Sequence, residues 1–219
     1  MSRLPSRHFL REAALDAARR GWRVFPLQPG GTDPAIQDWQ HRATSDPERI
    51  IRAWKYGPYN VALAPCTSGL LALDLLAARP GQSPPRHAQG RGVHDGADVL
   101  AVLTEQAHAR FPADTYTVTH PDGGFSLIFT HPAGPCPQAS PAEATDSLLG
   151  WHVCIRSANS YVLLAGSTTS KGSYTLAHAA PLPAPWPGYL ADHLAGSPVS
   201  AHCHQSGPAG QPTLPGHSP

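Results

Sequence analysis

The stretch Leu-Leu-Ala-Leu-Asp-Leu-Leu, at residues 70–76, decides the fold of this chain. A run this apolar is typical of a strand buried on both faces, so it predicts a central position in a sheet. A carboxylate inside such a run is unfavourable unless it has a partner. Asp74 is therefore expected either to be satisfied by backbone N–H groups of the following loop or to belong to a site.

Segments on both sides extend this prediction. Residues 59–64 (YNVALA) predict a second strand, and a turn containing Ser68 and Gly69 joins the two. Residues 77–94 have no periodicity and predict a mobile loop, which is either a solvated segment or one that closes over phosphates. The basic residues of this loop are Arg79, Arg86, His87, Arg91 and His94.

Further along the chain, a β-hairpin is the strongest local prediction. Residues 115–119 and 125–130 flank Pro121-Asp122-Gly123-Gly124, a turn sequence. Residues 153–156 and 161–164 predict another pair of strands, around Ala158 and Asn159.

The remaining elements are helices and one edge strand. Helices are predicted at residues 6–20, from Asp46-Pro47-Glu48 onward, at 95–110 and near 189–194. Residues 22–27 predict an edge strand or one that ends early, because Pro26 lacks an N–H group. Strands in adjacent pairs separated by helices favour an α+β fold with a mainly antiparallel or mixed sheet flanked by helices.

Length, composition and net charge limit the number of domains and the kinds of binding partner. A chain of 219 residues fits one domain, predicted at residues 1–196, and the polar, Pro/Gly-rich residues 197–219 predict a disordered tail. The net charge of +1 provides no field over the whole molecule, so any site for a polyanion must be local.

Cysteine usage and hydropathy indicate a compartment. No CxxC pair is formed by the four cysteines, Cys66, Cys136, Cys154 and Cys203, and they are interpreted as reduced thiols. The sequence around Cys203 is His-Cys-His, but no second cluster of ligand residues completes a zinc site. The N-terminus lacks the apolar core of a signal peptide, and no stretch is long enough to cross a bilayer. A cytoplasmic protein with no membrane partner is expected.

Several stretches, taken in order, resemble one known family. They are residues 13–25 (AALDAARRGWRVF), 26–36 (PLQPGGTDPAI), 43–54 (ATSDPERIIRAW), 57–64 (GPYNVALA), 68–74 (SGLLALD), 95–103 (DGADVLAVL), 116–129 (YTVTHPDGGFSLIF) and 161–167 (YVLLAGS). Their order and spacing resemble the N-terminal primase–polymerase domain of bifunctional DNA primase/polymerases, of the archaeo-eukaryotic primase superfamily. The resemblance covers roughly residues 10–195 and implies an RRM-like sheet.

The same resemblance implies metal-dependent nucleotidyl transfer. Two divalent ions, Mg²⁺ or Mn²⁺, stabilise the attacking and leaving oxygens, and carboxylates hold the ions. The family places two acids two residues apart on a strand. Here the first is present as Asp74, the residual catalytic residue and a weak metal ligand at most, whereas Leu76 stands at the second position.

Other family positions are also substituted. Ser126 stands where the resemblance implies a histidine facing the nucleotide phosphates, two residues after Gly123-Gly124. Cys154 stands at the third acid. Arg156 is retained, and its planar fork suits a phosphate, so Arg156, Ser126, Gly123 and Gly124 are the candidate nucleotide- or phosphate-binding residues.

Three hypotheses follow. The first is a primase–polymerase-like domain that is catalytically impaired and binds nucleotides, single-stranded or template DNA, or a separate helicase or replication protein. The second is an active enzyme with rearranged ligands, drawn from Asp95, Asp98, Asp122 and His152. The third is a structural or partner-binding protein without nucleotide affinity.

Overall fold

A computed structural model describes residues 5–86, 92–132, 134–137, 139–140 and 149–195. The predicted tail, residues 197–219, lies outside the described residues, as do His87 and Arg91 of the basic loop. The helices are α1 (Arg7–Arg19), α2 (Trp39–Arg42), α3 (Pro47–Trp54), α4 (Gly96–Gln106) and α5 (Gly188–Ala195). The strands are β1 (Val24–Leu27), β2 (Asn60–Leu63), β3 (Leu70–Leu75), β4 (Tyr116–Thr119), β5 (Phe125–Thr130), β6 (Val153–Arg156), β7 (Val162–Leu163), β8 (Thr168–Thr169), β9 (Gly172–Ser173) and β10 (Thr175–His178).

The strands of the described residues form antiparallel sheets. Five strands in the order β10-β4-β5-β3-β6 make the main sheet, and β1-β2-β7 make a second one. The short strands β8 and β9 pair only with each other. The predicted α+β class with a mainly antiparallel sheet is therefore confirmed. Strand β3 lies between β5 and β6, the central position that its apolar sequence predicts.

Alternation along β3 divides the core into two parts. Leu71, Leu73 and Leu75 point to the face covered by α4 and α5, where they pack against Leu100 and Leu190. Residues of the opposite face join α1, α3 and the three-stranded sheet in a second buried cluster. Because Asp74 alternates with Leu73 and Leu75, it belongs to this second face.

Local capping explains where the helices begin and end. Ser6 accepts a hydrogen bond from the N–H of Phe9, and Asp46 accepts from the N–H groups of Glu48 and Arg49, as the N-cap signals predict. The predicted helix at 95–110 is shorter than expected and ends at Gln106. The chain leaves the helix because His108 adopts a left-handed backbone with φ 50°.

The predicted pairing of residues 153–156 with 161–164 is wrong. Strand β6 pairs with β3 in the main sheet, whereas β7 pairs with β2 in the three-stranded sheet. A turn at residues 157–160 redirects the chain, since the N–H of Ser157 donates to Oγ of Ser160 over 2.7 Å. The outer edge of β6 is occupied by Ser140, whose N–H donates to the carbonyl of Ile155. Ser140 thus takes the backbone position at Ile155 that a strand such as β7 would need.

The interpretation of all four cysteines as reduced thiols is also wrong. Cys66 and Cys136 are joined by a disulfide, with Cα atoms 6.0 Å apart. Cys154 is free and buried, and Cys203 lies outside the described residues. The bond links the turn before β3 to the segment that follows β5. Among the described residues, no helix has the length and apolar character required to cross a membrane.

The start of α4 is packed against the end of β3 with no space for a side chain. A methyl group on Gly96 would lie 2.2 Å from the carbonyl oxygen of His152 and 2.9 Å from the backbone nitrogen of Leu76. We expect Gly96→Ala to lower the free energy of unfolding by about 1–3 kcal/mol, the usual effect of overpacking. Urea denaturation followed by circular dichroism measures this loss.

Gly188 provides a matched control, because it is likewise the first residue of a helix. No described atom lies within 4 Å of a methyl group built there. Gly188→Ala should leave stability unchanged or raise it slightly, since alanine favours helices more than glycine does. Equal denaturation midpoints for the two variants would contradict the close approach at Gly96.

Candidate functional site

The sequence-predicted site residues converge on one face of the main sheet. Asp74 of β3 is paired in register with Ser126 of β5 on one side and with Cys154 of β6 on the other. Arg156 lies two residues beyond Cys154, so alternation places it on the same face. Three neighbouring strands thus present four candidate side chains together.

Both oxygens of the Asp74 carboxylate have partners. The hydroxyl of Ser126 donates to Oδ1, and Nε of Arg156 donates to Oδ2 over 2.6 Å. The side chains of Asp74 and Arg156 are only 9% and 14% exposed. The charge buried in the apolar strand is therefore compensated by a charge-assisted hydrogen bond from the neighbouring strand.

Burial and charge act in opposite directions on Arg156. Burial alone would lower the pKa of its guanidinium, but the charge of Asp74 and the hydrogen bond outweigh burial and raise that pKa. Its Nη atoms have no hydrogen-bond partner among the described residues, as only Nε is engaged. Arg156 is thus a permanent cation with one nitrogen bonded to Asp74 and two that have no hydrogen-bond partner within the described part of the chain.

His120 extends the network, and sequence reasoning missed it. Its Nε2 lies 2.7 Å from Oγ of Ser126. Since the single hydroxyl hydrogen of Ser126 is donated to Asp74, Nε2 of His120 must carry a proton and act as the donor. The register of the hairpin could have revealed this contact. Val118 pairs with Ser126, and His120 follows Val118 on the same face.

Tyr174 borders the same cluster. Its ring centroid lies 5.2 Å from that of His120. Burial raises the pKa of the Tyr174 phenol to about 12, with the charges of Asp74 and Asp122 adding to the shift. At neutral pH the phenol is therefore protonated and able to donate a hydrogen bond. Its position after β9 gave no motif from which a role could be predicted.

The glycine pair shapes the turn beside the site. Gly123 has φ 92°, a conformation that favours glycine, and the turn returns the chain from β4 to β5. Gly124 packs closely, because a methyl group there would lie 2.7 Å from the carbonyl oxygen of Leu75. The turn is thereby held against the end of β3. Its role in binding phosphate stays a prediction.

The two substituted acid positions carry groups of different character. Leu76 is half-buried just after β3, where its N–H donates to the carbonyl of His152 over 2.8 Å. Cys154 is fully buried, and burial raises the pKa of its thiol, so the neutral form dominates near pH 7. Neither side chain supplies an anionic ligand beside Asp74.

The alternative acids have partners of their own. Asp95 caps α4 by accepting from the N–H groups of Ala97 and Asp98. Asp98 accepts from the N–H of His94 over 2.7 Å. Asp122 accepts from the N–H of Gly124 and lies 3.9 Å from Nζ of Lys171. Each carboxylate is thus explained by local structure.

His152 is the remaining alternative. It is buried with φ 60°, and its Nε2 has no hydrogen-bond partner among the described residues. Burial lowers its pKa, with a further contribution from the charge of Arg79. The imidazole is therefore mainly neutral at pH 7, and no hydrogen bond among the described residues joins its Nε2 to Asp74 or to the partners of Asp74.

Metal-ligating side chains do not cluster in the part of the chain that the structure describes. No group of three or more His, Cys, Asp or Glu residues there is arranged to hold an ion. Beside Asp74 the nearest charged partner is the guanidinium of Arg156, which repels a divalent cation. These residues do not fit a two-metal centre.

Comparison with known proteins identifies the scaffold. The model of the family described as bifunctional DNA primase/polymerase, N-terminal, matches residues 14–188. A search of curated proteins finds no match. The matched region begins in α1 and ends at the start of α5, so it includes all three sheets of the described residues and every residue of the site. The chain belongs to the family of bifunctional DNA primase/polymerase N-terminal domains.

Proposed function

We propose that this domain keeps the primase–polymerase scaffold but does not carry out two-metal nucleotidyl transfer, and that it acts as a binding or interaction module. The observation that carries the proposal is the buried pair of Asp74 and Arg156, completed by Ser126. In this pair the negative charge of the carboxylate is compensated by the guanidinium of Arg156. Such a carboxylate is a poor ligand for Mg²⁺ or Mn²⁺, which require several oxygen ligands.

The bound partner is a nucleotide or a single-stranded or template DNA. Arg156 offers Nη atoms that no described side chain occupies, and guanidinium groups bind phosphates in a bidentate manner. The phenol of Tyr174, which is protonated at neutral pH, adds a hydrogen-bond donor beside His120. Such a face suits phosphate oxygens. A role in replication beside a separate helicase or replication protein is consistent with this binding, and the cytoplasmic location stays a prediction.

Primer synthesis on a single-stranded template tests the proposal. With Mg²⁺ or Mn²⁺ and labelled dNTPs, the wild-type domain should incorporate no nucleotide above a protein-free control. Calorimetric titration with ATP and dNTPs should show binding that does not require metal. Incorporation that is lost in an Asp74→Ala variant would establish the active enzyme with rearranged ligands instead. The absence of any nucleotide binding would leave the third reading, a structural or partner-binding protein.

A further inference from the structure

A short segment, the strap, covers the outer edge of β6; it consists of the described residues 136–137 and 139–140. Ser140 donates its N–H to the carbonyl of Ile155 over 3.0 Å, and its Oγ accepts from the N–H of Ile155 over 3.0 Å. Both backbone groups of Ile155 therefore point away from β3, whereas those of Cys154 and Arg156 point toward it, as antiparallel pairing requires. Strand β6 is thus held by β3 on one side and by the strap on the other.

The strap itself is attached at few points. Besides its bonds to β6, a disulfide joins Cys136 to Cys66, and the carbonyl of Pro137 accepts a long hydrogen bond of 3.4 Å from the N–H of Ala158. None of the described strap residues belongs to a buried hydrophobic cluster. Because apolar burial contributes little, the covalent bond is the strongest of the described restraints on this segment.

The other end of the disulfide lies in a turn that does not depend on the strap. Cys66 begins a single helical turn, Cys66–Ser68, between β2 and β3. Oγ of Ser68 donates to the carbonyl of Ala64 over 2.7 Å and accepts from the N–H of Arg23 over 2.8 Å. These bonds remain when the disulfide is broken. Breaking it therefore releases the strap and leaves the turn in place.

The two bonded cysteines lie where a reductant can approach them. Cys66 and Cys136 are both half-buried, whereas Cys154, opposite Asp74, is fully buried. Thiol–disulfide exchange starts when a thiolate attacks one sulfur of the disulfide, so its rate depends on access to that sulfur. The Cys66–Cys136 bond is accordingly placed to respond to the redox conditions around the protein.

We propose that the Cys66–Cys136 disulfide is a redox-sensitive switch for the edge of β6. In the oxidised chain the strap is bonded to Ile155. A dithiol reduces the disulfide by passing two electrons and two protons to the cysteines, and it is itself oxidised to a disulfide. The strap then leaves the edge. Strand β6, which carries Arg156, is held by β3 alone, and the backbone groups of Ile155 are exposed as an unpaired strand edge. This inference concerns the backbone of β6 and does not rest on the proposed function.

Amide order parameters from NMR relaxation test the switch, since they report the flexibility of a segment in the folded chain even when global stability changes. In the oxidised chain the amide at position 140 should have an order parameter of about 0.85, and after reduction with dithiothreitol it should fall below about 0.6. The amides of Leu127 and Ile128 should stay near about 0.85 in both states, because β5 lies between β4 and β3.

Two variants separate the disulfide from the hydrogen bonds. Cys66→Ser with Cys136→Ser should show the low order parameter at position 140 without reductant and should not change further when reductant is added. Ser140→Ala removes one hydrogen bond of the strap but keeps the disulfide, so in the oxidised chain the order parameter should stay near about 0.85.

Three results would overturn the proposal. The first is an order parameter at position 140 that reduction does not change. The second is an equal fall at the β5 amides, which would make the disulfide a support of the whole fold. The third is a fall in oxidised Ser140→Ala as large as the fall on reduction, which would show that the hydrogen bond holds the strap.

Discussion

Asp74→Ala is expected to lower the free energy of unfolding by about 3–5 kcal/mol, the usual loss when one member of a buried ion pair is removed. The substitution leaves the Arg156 guanidinium, which is 14% exposed, without its counter-charge, and it frees the hydroxyl of Ser126. Urea denaturation at pH 7, followed by circular dichroism, measures the loss. Mg²⁺ should not change the denaturation midpoint of the wild type.

A double substitution distinguishes an ion-pair role for Asp74 from a role as a metal ligand. Asp74→Leu with Arg156→Leu removes both charges, so it should recover most of the stability that Asp74→Ala loses. A metal-binding carboxylate predicts the reverse pattern. Mg²⁺ would then stabilise the wild type, and removing Asp74 would abolish that effect while relieving repulsion within the site. That result would contradict the role that we assign to the pair.

Reducing the Cys66–Cys136 disulfide is expected to lower the free energy of unfolding by about 4 kcal/mol. The two cysteines are separated by 70 residues, and a crosslink that closes a long loop removes much of the entropy of the unfolded chain. Urea denaturation with and without a reductant such as tris(2-carboxyethyl)phosphine measures the difference. Cys66→Ser with Cys136→Ser should match the reduced wild type and should no longer respond to reductant.

Cys154 offers the control for this experiment. Its thiol is buried and unpaired with another cysteine, so Cys154→Ala should keep the full response to reductant. If the reductant leaves the wild-type midpoint unchanged, the crosslink does not form in solution. Because disulfides persist mainly in oxidising compartments, the measured redox state also bears on where the protein is located.

Elements were predictable from the sequence where the signal is local. The apolar run of β3, the Pro-Asp-Gly-Gly turn and the Asp46 cap each depend on neighbouring residues, and all three are confirmed. The partners of β6 and β7 were not predictable in this way. Apolar alternation specifies that a segment is a strand, but it does not specify which edge the strand will join.

The same distinction between local signals and distant contacts applies to the candidate site. Asp74, Ser126, Cys154 and Arg156 could be named from the sequence because they hold positions in a family pattern. The ion pair itself could not, since Asp74 and Arg156 lie 82 residues apart and only the register of β3 with β6 brings them together. The disulfide is another contact between distant residues, and the spacing of its two cysteines gives no indication of the pairing.

The two closely packed glycines have a consequence for protein engineering. Gly96 abuts the backbone nitrogen of Leu76, and Gly124 abuts the carbonyl of Leu75, so the chain is held from two directions where it leaves β3. An acidic side chain introduced at position 76 would therefore start from a fixed backbone. Attempts to rebuild polymerase chemistry on this scaffold can vary side chains around Asp74 while the backbone at residues 75–76 is kept unchanged.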